Sequence, residues 1–145
     1  MQKETHIAKR KKVRQIGNMR KEIIIVLIII IIIFATDILT QNLTKKSISL
    51  INEKLDNIKT TIINNETNDL NSEIKNLDEN WTDINNKMSF YIEHDELEKV
   101  NTSLVKIKSY IEFEEYSEAV PELEECKYIL DHIKEKQRLK IINLF

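Results

Sequence analysis

Glycine, proline and cysteine occur once each in the 145 residues, and each scarcity closes off a class of fold. Average usage would place about ten glycines and seven prolines in a chain of this length. A β-rich fold spends both in its turns, so an all-β architecture is all but excluded. A single Cys126 supports neither a disulfide framework nor the paired thiolates of a structural zinc site. No catalytic motif is present, so the reaction or ligand, if there is one, is not written in the sequence. The length leaves room for one domain.

What is present is charge, unevenly spread. Lys3, Lys9, Arg10, Lys11, Lys12, Arg14, Arg20 and Lys21 face only Glu4 and Glu22, so residues 1–22 carry a net +6. Residues 40–145 hold 14 basic and 21 acidic side chains, a net −7. Between the two zones runs Ile-Ile-Ile-Val-Leu-Ile-Ile-Ile-Ile-Ile-Ile-Phe-Ala, 13 apolar residues from Ile23 to Ala35, extended by Thr36, Asp37, Ile38 and Leu39.

At about 1.5 Å per residue, the 17 residues 23–39 cover about 26 Å, near the lower limit for crossing a hydrocarbon core of about 30 Å. Arg20 and Lys21 can snorkel at one end and Asp37 can reach the interface at the other. A buried helix of a soluble bundle would keep a polar face, which this run lacks. A cleavable signal peptide is the stronger rival, but Ile33 stands two residues before Ala35, where cleavage wants a small residue. The expectation is therefore an uncleaved single-pass anchor. Basic residues concentrated before the span predict a cytoplasmic N-terminus and an extracytoplasmic acidic domain at the cell membrane. The basic tail abuts the span and has no interleaved aromatics, which favours membrane lipid over nucleic acid as its partner.

Beyond the span, apolar residues recur at intervals of three and four, the mark of amphipathic helix. Segment one takes Leu43, Ile48, Ile51, Leu55, Ile58 and Ile62. Nothing between Glu22 and Ile63 is Pro or Gly, so the anchor is expected to continue into it unbroken. Asn64-Asn65-Glu66-Thr67-Asn68 then supplies turn formers. Segment two takes Leu70, Ile74, Leu77, Trp81, Ile84, Met88 and Tyr91. Segment three takes Leu97, Val100, Leu104, Ile107 and Ile111, its start read as a capping box of Asp95 with Glu98. Segment four opens near Ser117, a plausible N-cap, and takes Val120, Leu123, Cys126, Leu130 and Ile133. Pro121 is placed in or near its first turn, where missing N–H groups cost little. The apolar residues 139–145 either dock on the bundle or fray.

The fold class expected is all-α, a transmembrane helix followed by an antiparallel bundle of three or four helices joined by short connections. The divisions are a basic cytoplasmic tail at 1–22, an anchor at 23–39 and an extracytoplasmic bundle at 40–145.

Candidate chemistry is sparse. His94 and His132 could approach one another if segments three and four pair, but no H-x-x-x-H or C-x-x-C spacing sets them on one face. Glu112, Glu114, Glu115, Glu118, Glu122, Glu124 and Glu125 lack the Asp/Asn-and-Gly pattern of a calcium loop and read as a solvated face. Trp81 and the tyrosines Tyr91, Tyr110, Tyr116 and Tyr128 read as packing residues. Asn42-Leu43-Thr44, Asn65-Glu66-Thr67, Asn80-Trp81-Thr82 and Asn101-Thr102-Ser103 match a glycosylation pattern, but 26 Ile, 18 Lys and 14 Asn match the composition of an AT-rich bacterial genome, and the sequons are read as chance. No catalytic, cofactor-binding or metal-binding residue is assigned, and no cofactor is expected.

The order of features, a basic tail, one span, then Trp81, His94-Asp95-Glu96-Leu97-Glu98, Tyr110-Ile111, Ala119, Glu122-Leu123, His132-Ile133 and Asn143-Leu144-Phe145, resembles the bacterial family of domain of unknown function 4363. The resemblance implies a small single-pass membrane protein and carries over no site. Three functions follow as expectations. The first is an anchored interaction or structural module that binds another membrane or envelope protein or itself, without catalysis. The others are a septum-type bitopic coiled-coil protein, and an extracytoplasmic sensor or enzyme using His94 or the glutamate cluster.

Overall fold

The structure, a computed structural model, describes the backbone of residues 2–142 and the side chains of residues 20–138. Residues 139–145, for which docking or fraying was the question, lie outside the described side chains. Helix α1 covers Gln2–Ile63, α2 Leu70–Met88, α3 His94–Glu112 and α4 Tyr116–Ile142, with a 3-10 turn at Thr67–Asp69. No break interrupts α1, as the lack of helix breakers after Glu22 predicts. The chain divides into two compact units, Met1–Leu39 and Thr40–Phe145.

In the first unit, Ile23 to Phe34 are each at least 40% exposed. The helix that carries them is long and apolar enough to cross a membrane, with mean hydropathy 3.1 over 18 residues and no residue of that window buried. Thr36 returns its hydroxyl to the Ile32 and Ile33 carbonyls at 3.0 and 2.8 Å, so its polar group makes no demand on an apolar surrounding.

The second unit is a closed four-helix bundle. Gln41 meets Gln137, Asn52 meets Asp131 and Lys59 meets Glu124: numbers rise along α1 while they fall along α4, so the two run antiparallel. Lys54 with Asn76 and Thr61 with Glu73 pair α1 with α2. Trp81 with Asn101 and Lys108 with Asp78 pair α2 with α3. Ser103 with Glu122 and Glu96 with Lys136 pair α3 with α4. Each helix thus has two antiparallel neighbours, as short connections require.

The core follows the heptad stripes. Leu70, Ile74, Leu77, Trp81, Ile84 and Met88 of α2 are buried, as are Leu97, Val100, Leu104, Ile107 and Ile111 of α3 and Leu123, Cys126, Leu130 and Ile133 of α4. Three expectations need correction. Leu43 is 56% exposed, and Thr44 takes its place at 1%. The stripe runs 44, 48, 51, 55, 58, 62, and Thr44 tolerates burial because its hydroxyl donates to the Thr40 carbonyl at 2.8 Å and lies 3.3 Å from the Tyr91 hydroxyl. Helix α2 stops at Met88, so Tyr91 is half-buried in the following turn while Ile92 seals the core. Val120 is likewise only half-buried, the core position beside it being held by Ala119.

The helix starts also differ. Glu93 is the N-cap of α3, with no side-chain cap, and Asp95 already lies in the first turn. Glu98 instead accepts from the Asn101 amide at 3.3 Å. Helix α4 begins at Tyr116, near Ser117 as expected, but Ser117 lies inside the helix and is not its N-cap, and Pro121 is the sixth residue. At that depth the missing N–H leaves the Ser117 carbonyl without its i+4 donor, a cost that first-turn placement would have avoided.

Two connections close in the same way. Among the described residues, Asn65 and Glu114 are the non-glycine residues with positive φ, 59° and 58°. Glu66 N–H reaches the Thr61 carbonyl and Asn65 N–H the Ile62 carbonyl. Glu115 and Glu114 repeat the pattern onto Tyr110 and Ile111. These are Schellman closures, whose left-handed residue is usually glycine. Asn tolerates that conformation, whereas Glu pays about 1 kcal/mol or more. Glu114→Gly is therefore expected to stabilise the bundle by about 0.5–1 kcal/mol after glycine's own entropy cost, and Asn65→Gly by less. Thermal unfolding of the full chain in detergent, followed by circular dichroism, checks both; a fall in midpoint for Glu114→Gly would refute the strain.

Candidate functional site

The most built polar site lies where α3 meets α4. Ser103 falls on the inward face of α3, four residues before Ile107, and is 2% exposed; Glu122 lies one turn before Cys126 on α4 and is 8% exposed. Ser103 Oγ donates to Glu122 Oε1 at 2.8 Å, and Lys106 Nζ stands 3.4 Å from the same carboxylate. A buried carboxylate is costly unless paired and hydrogen-bonded, and these two partners meet that demand.

Cys126 lies fully buried beside them. Burial pushes its thiol up to about 12 from 9.0; a hydrogen bond with Ser103 opposes the shift, and the charges of Glu122 and Glu125 add to it. At neutral pH it is a protonated thiol shielded from solvent. Two results are expected. Thiol reagents should label Cys126 only as fast as the bundle opens, so labelling in detergent should track global unfolding. Because the folded state holds this proton more tightly, stability should be full below pH 9.0, the thiol's ordinary value, and fall as pH rises toward about 12. Cys126→Ala should flatten that slope; a slope unchanged by the substitution would assign it elsewhere.

Over this cluster opens a groove of about 640 Å³, lined among others by Thr102, Lys106, Glu122, Glu125, Tyr128 and Ile129. The Glu122 carboxylate in its lining is already hydrogen-bonded and paired, and acidic, basic and apolar side chains share the rest of the surface.

The residues singled out from sequence are dispersed. His94 opens α3 and His132 lies on α4; both are exposed. Among the described residues no group of three or more His, Cys, Asp or Glu is placed to hold a metal ion. Of the seven glutamates, six are exposed, as a solvated face should be, and Glu122 is the exception. Glu124 pairs with Lys59 at 2.8 Å. Trp81 is core, its Nε1 donating to Asn101 Oδ1 at 2.6 Å. Tyr91, Tyr110 and Tyr116 pack against the core, but Tyr128 is 75% exposed, which corrects its reading as a packing residue. Neither Ser103 nor Glu122 was picked out from sequence as a buried polar pair. The available signal was their place in the apolar registers of α3 and α4, which only their pairing makes meaningful.

A family model described as Domain of unknown function (DUF4363) matches residues 38–144. The match covers the bundle and begins at Ile38, so the basic tail and most of the apolar run lie outside it. Comparison with the curated proteins and with the solved structures finds no significant match.

Proposed function

The chain belongs to the Domain of unknown function (DUF4363) family, and we propose that it acts as a membrane-anchored helical module. In this reading residues 23–39 cross the cell membrane once, the basic tail stays in the cytoplasm, and the acidic bundle is held on the extracytoplasmic side. There it serves as an interaction or structural part without catalysis, for another envelope protein or a second copy. The observation that carries the reading is that the isoleucine-rich helix is exposed all round, with no residue of its apolar window buried. A dozen successive apolar residues at 40–65% exposure would cost about 25 cal/mol per Å² in water, and a bilayer removes that cost.

Alkaline carbonate extraction of membranes from expressing cells, combined with protease added outside intact cells, tests anchor and topology together. The chain should remain in the membrane pellet, and the bundle should be cut from outside. Release by carbonate would refute the anchor; protection in intact cells with cleavage after lysis would reverse the topology. Crosslinking in intact cells, read by mass spectrometry, then tests the partner: a chain recovered only as an uncrosslinked monomer would count against an interaction role.

A further inference from the structure

The groove of about 640 Å³ between α3 and α4 has the size of sites that hold ligands, about 300–1,000 Å³. Its lining on α3 extends from Asp95 to Lys106, about three helical turns, so it follows the helices for about 16 Å. Both walls are helices and its long axis is theirs. The occupant that matches this shape is elongated, and a further helix laid along the seam is the usual way such a groove is filled. Tyr128 belongs to the α4 wall at 75% exposure, next to the half-buried Ile129. A rigid ring with an apolar body and a polar tip is the kind of side chain on which protein interfaces anchor.

The charge of the groove selects the occupant. Asp95, Glu98, Glu122 and Glu125 line it against Lys99 and Lys106, a net −2. Both lysines are already engaged, Lys106 with Glu122 at 3.4 Å and Lys99 with the buried Glu96 at 3.8 Å. Asp95, Glu98 and Glu125 meet no cation among the described residues, and Glu98 accepts only from the Asn101 amide. Two of these three carboxylates stand on the α3 wall and one on the α4 wall, so a cationic side chain entering the groove finds acceptors on both sides. Like charge opposes an acidic partner, a nucleic acid, and a second copy of a bundle whose residues 40–145 carry a net −7.

We propose that the groove between α3 and α4 receives a basic amphipathic helix of a partner protein, whose Lys or Arg side chains meet Asp95, Glu98 and Glu125 while its apolar side chains cover Tyr128 and Ile129. The proposal rests on the interaction reading above and gives the partner its chemistry. The partner's anchors recur at i, i+3, i+4 and i+7, a cation beside the Tyr128 ring gains from its π face, and salt weakens the complex.

The test uses the full chain in nonionic detergent and two fluorescent synthetic helical peptides that share a leucine stripe, one flanked by lysines and the other by glutamates. Fluorescence anisotropy reads binding, with empty micelles as the blank. The lysine peptide should bind and the glutamate peptide should not. Asp95→Asn, Glu98→Gln and Glu125→Gln together should weaken binding at least about tenfold, and Tyr128→Ser alone by about fivefold. Glu112→Gln, Glu115→Gln and Glu118→Gln together make the same change of charge outside the groove and should weaken it less than about twofold. All seven side chains are exposed, so folding is not at stake. Equal losses from the two triple variants, equal binding of the two peptides, or no effect of Tyr128→Ser overturns the groove as the docking site. If a partner is still crosslinked and identified in intact cells, that failure leaves the interaction reading standing. A chain that binds neither peptide and is recovered from cells only as an uncrosslinked monomer overturns both.

Discussion

Arginine in place of both Ile28 and Ile31 is expected to strip the chain from membranes. Each arginine near the centre of a spanning helix costs about 2.5–3.5 kcal/mol on insertion scales, so the pair costs about 5–7 kcal/mol. At about 1.4 kcal/mol per factor of ten, that lowers partitioning by more than about a thousandfold. The run has no reserve with which to absorb this. In the proposed span its 17 residues would cover about 26 Å of a core of about 30 Å, so sliding the arginines toward an interface would pull the other end too deep. Carbonate extraction should move the double variant from pellet to supernatant while Ile28→Val with Ile31→Val stays behind. Retention of the arginine variant would mean that these positions do not lie in hydrocarbon.

Trp81→Ala should be the most damaging substitution within the bundle. Trp81 is 4% exposed in the centre of the α2 stripe, and its indole N–H is bonded to Asn101 at 2.6 Å. Truncating a buried tryptophan costs about 3–5 kcal/mol through lost transfer energy and the cavity left behind. In a bundle of about 100 residues each kcal/mol moves the unfolding midpoint by about 4–8 °C, so a fall of at least about 12 °C is expected. Trp81→Phe keeps most of the packing and loses the hydrogen bond, so it should cost about 1–2 kcal/mol. Circular dichroism melts of the two variants separate packing from hydrogen bonding; equal losses would place the weight on the hydrogen bond.

Much of this architecture was legible because a helix repeats every 3.6 residues and a bundle buries one stripe of each. The registers of α2, α3 and α4 predicted their cores nearly residue by residue. Leu43 was misplaced because hydrophobicity was weighed above phase: counting back from Ile48 by four reaches Thr44, a polar residue that hydrogen bonds make acceptable in the interior. The capping box at Asp95 failed for a related reason. A turn pattern is local, and the chain's actual entry to α3 is set by Ile92 and Leu97 docking in the core.

The site was less legible. Glu122 read as one of seven similar glutamates, and nothing along the chain distinguishes it from Glu118 or Glu125. Ser103, 19 residues away, supplies the difference, together with Lys106. Which lysines meet a carboxylate was hidden likewise, because whether a charge is paired depends on the helix beside it.

Composition and periodicity alone settled that the protein is helical, that one segment is too apolar for water, and which face of each outer helix turns inward, since these follow from backbone geometry and from the cost of wetting hydrocarbon. Tertiary structure alone decided which helices are neighbours, which carboxylate is buried, and which lysines meet a carboxylate. Those outcomes depend on contacts between residues far apart in the chain, and the energy of a buried or paired charge is a property of its surroundings and not of the residue itself.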